Sequence, residues 1–234
     1  MPQRLFVDRR IRAAYVALVL AGCHGAPGAV LPAGAAPVSG EQVARWVEAT
    51  VPPDHRLHRF KWLFQDERSS AGGRGSARIA PPDSLRFDAA GPFGSNPAAA
   101  VVIGDTPLWA EPPDAVRKLV PNYFLMWAMF GIARLPDDGA ALRGVSERAV
   151  TAWQYAGATD TVNYVLTQDQ PRRLVAEVRH AGEVVGRAET TLDSTGAPLR
   201  ARLVVPSVPA KLDLTFLSTA RATFAPDLWT DRRP

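Results

Sequence analysis

Three sets of residues in this chain have types and spacings that chemistry uses. The first is Cys23, the lone cysteine, which excludes an internal disulfide. A lone thiol is by default a small buried side chain. Here it ends a ten-residue apolar run that starts at Ala13, with the small residues Ala21 and Gly22 just before it. That setting points to processing rather than to a core. The second set is His24, His55, His58 and His180. His55 and His58 stand three apart beside Pro52-Pro53, but no carboxylate or cysteine completes a metal set, so all four are expected at the surface. The third set is Ser69, Ser70 and Ser76, which have no histidine near them in sequence. A hydrolase built on them would need a dispersed triad assembled by the fold. A Gly-x-Ser-x-Gly turn, a phosphate loop and His-Glu-x-x-His are all missing from the sequence. Asp66-Glu67 and Asp137-Asp138 read as solvated turns. The expectation is a protein with no catalytic residues, no metal and no cofactor.

The apolar run before Cys23 is too short for a transmembrane helix, which needs ~20 residues. Arg4, Arg9, Arg10 and Arg12 precede it. A basic start, a short apolar stretch and a small-residue exit are the parts of a secretory signal. Leu20-Ala21-Gly22-Cys23 resembles the bacterial lipobox. The resemblance implies cleavage before Cys23 and acyl chains on its thiol and new amino terminus. One chain anchors marginally, while two or more anchor stably. His24 follows, not the Asp of an inner-membrane retention signal, so the resemblance implies the periplasmic face of the outer membrane. The chain carries 27 basic and 23 acidic residues, a net of +4. Most of that excess lies in the signal, and no Lys/Arg run follows it. A nucleic-acid partner is therefore not expected. The chain divides into a signal peptide at 1–22, acylated Cys23 and a tether to residue 38, a folded domain at 39–225 and a tail at 226–234. The uncharged, Gly- and Pro-rich tether is expected to be disordered, with a reach of roughly 45 Å at ~3.1 Å per residue.

The elements of the domain follow from periodicity. Ser39 and Gln42 have capping-box spacing, and Val43, Trp46 and Val47 then share one helical face until Pro52-Pro53. From His55 the period becomes two: Phe60, Trp62 and Phe64 alternate with Lys61 and Gln65. Residues 69–75 read as a small-residue turn. Short strands follow at 76–80, 84–89, 98–103 and 107–110, the last holding Trp109. Helices are predicted over 112–119 and 123–132. The second is apolar nearly all round, so it is buried on every side or meets something beyond its own fold. Strands at 148–156, 161–168, 172–180, 183–192, 198–205 and 210–219 then run about twelve residues apart, as sequential antiparallel neighbours do.

A sheet of ten or so strands with one apolar face must cover that face. It either closes around a centre filled by side chains, or curls partly around the helices and keeps an apolar hollow. Phe60-Lys61-Trp62-Leu63-Phe64, Gly75-Ser76-Ala77-Arg78-Ile79, the run from Asp83 through Gly91-Pro92-Phe93-Gly94, and Leu203-Val204-Val205-Pro206 with Leu212-Asp213-Leu214-Thr215-Phe216 resemble the LolA/LolB-type lipoprotein carriers and receptors. The resemblance spans about residues 40–220. It implies a mainly β fold with a few helices (α+β): a curved antiparallel sheet forming an unclosed half-barrel with a helical lid or plug. It also implies a non-enzymatic carrier or receptor whose cavity takes acyl chains of lipids or lipoproteins. Trp46, Phe60, Trp62, Phe64, Phe87, Trp109, Tyr164, Leu214 and Phe216 are then candidates for the cavity wall. Phe124, Met126, Trp127, Met129 and Phe130 are candidates for the lid. Core packing selects the same residue types, and a plug that moves is a lid, so both readings stand. The rival function is an envelope protein with a filled core, docking a partner protein through its apolar helix.

Overall fold

The computed structural model describes residue 29 and residues 31–95, 97–113, 122–135, 139–207 and 209–230. Cys23, the signal, most of the predicted 112–119 helix and the Asp137-Asp138 turn lie outside these residues. Within them, period-two patterning dominates. The strands are β1 (Ala36–Pro37), β2 (Arg56–Gln65), β3 (Ser70–Ala80), β4 (Ser84–Ala90), β5 (Ala98–Ile103) and β6 (Thr106–Glu111). They continue with β7 (Ala141–Ser146), β8 (Val150–Ala156), β9 (Asp160–Thr167) and β10 (Arg172–His180). The last three are β11 (Glu183–Leu192), β12 (Pro198–Val205) and β13 (Ala210–Arg221). All pair antiparallel in one 13-stranded sheet, in the order β1-β7-β8-β9-β10-β11-β12-β13-β2-β3-β4-β5-β6. The end strands β1 and β6 do not pair with each other, so the sheet is unclosed.

Two short helices accompany it among the described residues. Helix α1 (Gly40–Glu48) begins where Ser39 Oγ accepts the Gln42 amide at 3.2 Å, one half of the predicted capping box. Val43 and Val47 are buried, and the Trp46 ring lies 6.0 Å from that of Trp153. Helix α2 (Tyr123–Ala128) begins at Asn122, whose side chain accepts the Phe124 amide at 2.8 Å. It is shorter than the expected 123–132, because positive-φ Gly131 turns the chain. A Cβ there would stand 2.6 Å from Leu192 Cδ2.

Three sequence expectations change. Residues 69–75 are not a turn: β3 pairs with β2 from Gln65↔Ser70 to Arg56↔Ile79. Its glycines serve close approach rather than chain reversal. A Cβ on Gly75 would lie 2.4 Å from Phe60 Cε2, and one on Gly73 would lie 1.9 Å from the Ala90 carbonyl oxygen. Residues 141–146, given no strand in sequence, form β7, where Gly144 makes room for the Trp46 ring. The end of the tether is not free. Ala36 and Pro37 pair with Gly144 and Arg143, and the Arg143 guanidinium donates to the Ala35 carbonyl at 2.9 Å.

Gly75→Val is expected to cost about 2–3 kcal/mol, since neither the Phe60 ring nor the β4 backbone can retreat. Gly157→Ala is the control, because a Cβ there meets only the Asp160 carbonyl oxygen at 3.5 Å. It should stay within about 0.5 kcal/mol of wild type. Urea denaturation of both variants measures the contrast.

Candidate functional site

Alternation carries one side chain in two to the concave face. From β2, His58, Phe60, Trp62 and Phe64 point there, and β4 adds Leu85 and Phe87. From β9 and β10 come Tyr164, Leu166, Leu174, Ala176 and Val178, and from β13 come Leu212, Leu214 and Phe216. Helix α2 lies in this hollow. Leu125, Met126, Trp127, Met129, Phe130 and Ile132 are all buried. Thr190, facing inward from β11, donates its hydroxyl to the Ala128 carbonyl at 2.7 Å. Trp127 Nε1 donates to the Gly104 carbonyl at 2.7 Å. The Ala133 amide donates to Thr50 Oγ1 at 2.9 Å, and the Arg134 amide to Tyr164 Oη at 3.3 Å. The apolar helix is therefore a plug covered by its own sheet, and Met126, Trp127, Met129 and Phe130 offer no surface to a partner.

The predicted site residues separate into groups. Phe60, Phe87, Phe130 and Phe216 form one aromatic cluster, with centroids 5.4 Å apart for Phe60–Phe87, 5.8 Å for Phe60–Phe216 and 5.9 Å for Phe130–Phe216. Offset and edge-on rings at such distances attract one another beyond simple burial. Tyr164 stacks on Trp153 at 5.2 Å within a second cluster that includes Tyr155 and Trp46. Burial pushes the phenols of Tyr155 and Tyr164 far up, so both stay neutral. Leu214 is buried in the core, while Trp62 and Phe64 are half-buried at its margin. Trp62 Nε1 donates to the Ala90 carbonyl at 3.2 Å. Phe124 borders a small hollow of about 170 Å³ with Gly104 and Arg134.

Trp109 does not join them. It packs with Ala99 and Val101 in a separate cluster on the convex face, and its Nε1 donates to the Trp229 carbonyl at 2.9 Å. The Arg86 guanidinium lies 5.3 Å over the Trp109 ring and donates to the Leu228 carbonyl at 2.7 Å. Asp88 pairs with Arg86 at 2.8 Å and also with Arg78. Residues 226–230, expected as a tail, thus strap this part of the outer face.

A cavity of about 420 Å³ remains at one end of the half-barrel. Phe130, Ile132, Leu166, Leu192 and Phe216 line its apolar side, and Arg56, His58, Arg172, Asp193, Ser218 and Thr219 give it polar groups. Small-molecule pockets commonly begin at ~300 Å³. Of the predicted wall and lid residues, Phe130 and Phe216 border it. His58, expected at the surface, is 3% exposed. Its ring lies 5.7 Å from that of Phe216, and Nδ1 is 2.9 Å from Thr219 Oγ1. Burial, with a smaller push from the Arg56 charge, lowers its pKa from 6.5 to about 4. The signal for His58 was present in sequence: it is two residues before Phe60, in phase with Phe60, Trp62 and Phe64. Arg172, Leu166 and Leu192 were likewise in phase with inward residues but were not singled out.

The Thr219–His58 pair has the reach of a nucleophile and base. A histidine with a pKa about 4, however, takes up a proton poorly at neutral pH. Elsewhere His180 Nδ1 meets Asp160 at 2.7 Å in an exposed pair, and His55 stacks on Phe224 at 5.5 Å. Among the described residues no group of three metal-ligating side chains forms. Because unfolding releases His58 into water, the unfolded chain binds its proton first as pH falls. Stability from this group is full above pH 6.5 and is lost between 6.5 and about 4. The loss is about 3 kcal/mol. Urea stabilities at pH 7, 5.5 and 4 check it. His58→Leu should flatten that part of the profile, and an unchanged slope would assign it to other groups.

The unclosed antiparallel half-barrel is shared, as a fold, with solved structures of other proteins. A LolA superfamily protein from Nitrosomonas europaea has this shape, with a TM-score of 0.55 at 12% identity, covering 83% of this chain and 98% of that one. A domain from Vibrio parahaemolyticus, described as a candidate outer-membrane lipoprotein-sorting protein, matches with a TM-score of 0.54 at 8% identity, over 80% of this chain and 94% of that one. No protein-family model matches the chain, and no curated protein matches it in sequence. The chain has a LolA-like fold, recognised by shape at low sequence identity.

Proposed function

We propose that this protein is an envelope lipoprotein, anchored through acylated Cys23 on the periplasmic face of the outer membrane, that binds acyl chains of lipids or lipoproteins without making or breaking a bond. The observation that carries the reading is the cavity beside Phe130 and Phe216, at the open end of a LolA-like half-barrel. Solved relatives by shape include one described as a candidate lipoprotein-sorting domain, which supports a carrier-type role. Each CH₂ taken from water into such a cavity contributes ~0.8 kcal/mol, so chain length and depth of burial set which site holds the chain. Docking of an envelope partner through the apolar helix receives no support, since Leu125 to Phe130 are buried. The test uses the full chain bearing Cys23→Ser, which removes the protein's own acyl groups. Displacement of a fluorescent fatty acid and mass spectrometry of the denatured protein should both report bound chains. A protein that carries no lipid and binds no probe would overturn the reading.

A further inference from the structure

We propose that the cavity is specific for an amphiphile whose headgroup is an oxyanion, carboxylate or phosphate, and that Arg172 binds that headgroup. The inference rests on the acyl-chain reading above and adds the chemistry of the ligand's polar end. Arg172 opens β10 and stands opposite Leu192 in β11, in phase with inward Leu174. It lines the cavity together with Leu166, Leu192 and Phe130. Its Nε is buried and has no hydrogen-bond partner among the described residues. A buried N–H donor without a partner is costly, and it calls for a ligand, an ion or water to meet it.

The neighbouring charges do not fill the role. Asp193, the carboxylate lining the same cavity, spends Oδ1 on the β11–β12 turn. It accepts the Thr195 amide at 2.8 Å, the Thr195 hydroxyl at 2.7 Å and the Ala197 amide at 3.0 Å. No ion pair joins it to Arg172 among the described residues. Arg56 lies across the mouth on β2, four strand positions away in the sheet, which at ~4.8 Å per strand is roughly 19 Å of arc. Its guanidinium is 3.7 Å from Asp54, a carboxylate that Arg221 also meets at 2.9 Å. His58 is neutral at the pH of most compartments. Among the described residues Arg172 thus has no ion-pair partner and sits on one rim of a cavity with one polar and one apolar side, and that polarity fits one anionic head and one chain. Guanidinium offers a planar fork of donors that matches both carboxylate and phosphate.

The full chain bearing Cys23→Ser is titrated with palmitate, with the lysophosphatidic acid of the same chain, and with 1-hexadecanol. Both acids are expected to bind about tenfold or more tighter than the alcohol. Arg172→Gln should bring the acids down to the level of the alcohol and leave the alcohol unchanged, while Arg172→Lys keeps part of the preference. Arg200→Gln, which removes an exposed cation away from the cavity, should change nothing. Preference for just one of the acids also supports the inference and names the oxyanion. Equal binding of acids and alcohol, or an acid preference that survives Arg172→Gln, overturns the headgroup inference and leaves the acyl-chain reading standing. Failure of all three probes, the alcohol included, overturns both.

Discussion

Trp127→Ala is expected to lower the stability of the domain by about 4 kcal/mol, within the usual range for emptying a buried aromatic site. That is a large part of the ~5–15 kcal/mol that holds a typical domain folded. Trp127 is 1% exposed, its indole N–H is satisfied by Gly104, and the Arg134 guanidinium lies 4.9 Å over its ring. Thr190→Val, which deprives the buried Ala128 carbonyl of its donor, should cost less, about 1–2 kcal/mol. The comparison bears on whether α2 moves. Swinging it out as a lid would expose Leu125, Met126, Trp127, Met129, Phe130 and Ile132. At ~1.5–3 kcal/mol for each large apolar side chain, that opening costs on the order of 10 kcal/mol. An opening so costly is indistinguishable from unfolding, so the helix is a fixed plug, and a ligand enters the cavity already present beside Phe130. Hydrogen exchange gives the second readout. The Met129 and Ile132 amides, bonded to the Leu125 and Trp127 carbonyls at 3.1 and 3.2 Å, should exchange as slowly as the central strands β10 and β11. Fast exchange of these two amides, together with a Trp127→Ala cost under about 1 kcal/mol, would restore the lid.

Where one physical rule acted alone, the sequence was readable. The four strands from β10 to β13 alternate apolar and polar residues over most of their length, and their bounds lie within two residues of those expected. Their outward charges pair as the pattern implies, Arg202 with Asp213 at 2.6 Å and Arg179 with Glu177 at 2.8 Å. Reading failed where tertiary contact overrode a local signal. Gly72, Gly73 and Gly75 look like chain reversal, yet Gly73 is selected by the Ala90 carbonyl and Gly75 by the Phe60 ring, both pressing on β3 from neighbouring strands. Gly144 masked β7 in the same way, because its reason is the Trp46 ring of a distant helix. His58 was set aside by residue type although its phase placed it inside. Trp109 was assigned inward by type, but period two gives two faces and does not say which is concave. Its outward side is occupied by Trp229 and Leu228, more than a hundred residues away in the chain. The polar end of the cavity was the least legible part. Arg172 acquires its meaning only when β9, β10 and the β11–β12 turn converge.

Cys23→Ser is expected to move the protein from the membrane fraction to the soluble fraction in a single substitution. Nothing described in the domain replaces the anchor. No helix among the described residues is long and apolar enough to cross a membrane. The large apolar surface that sequence reading left uncovered is covered, since α2 fills the concave face and the 226–230 strap covers Trp109 outside. On the proposed reading attachment rests on acyl chains at Cys23, and each buried CH₂ contributes ~0.8 kcal/mol, so two or three chains would hold where one does not. The geometry also shortens the leash. The backbone is tied to β7 at Ala35, so residues 24–34 reach at most roughly 34 Å at ~3.1 Å per residue, less than the full tether would allow. An anchor at Cys23 would therefore hold the domain within a few tens of ångströms of the bilayer, near the chains its cavity would take. Carbonate-washed membranes from cells expressing wild type and Cys23→Ser, with metabolic labelling by palmitate, measure the effect. Labelling should vanish along with sedimentation. A Cys23→Ser protein that stays in washed membranes would place the anchor elsewhere in the chain.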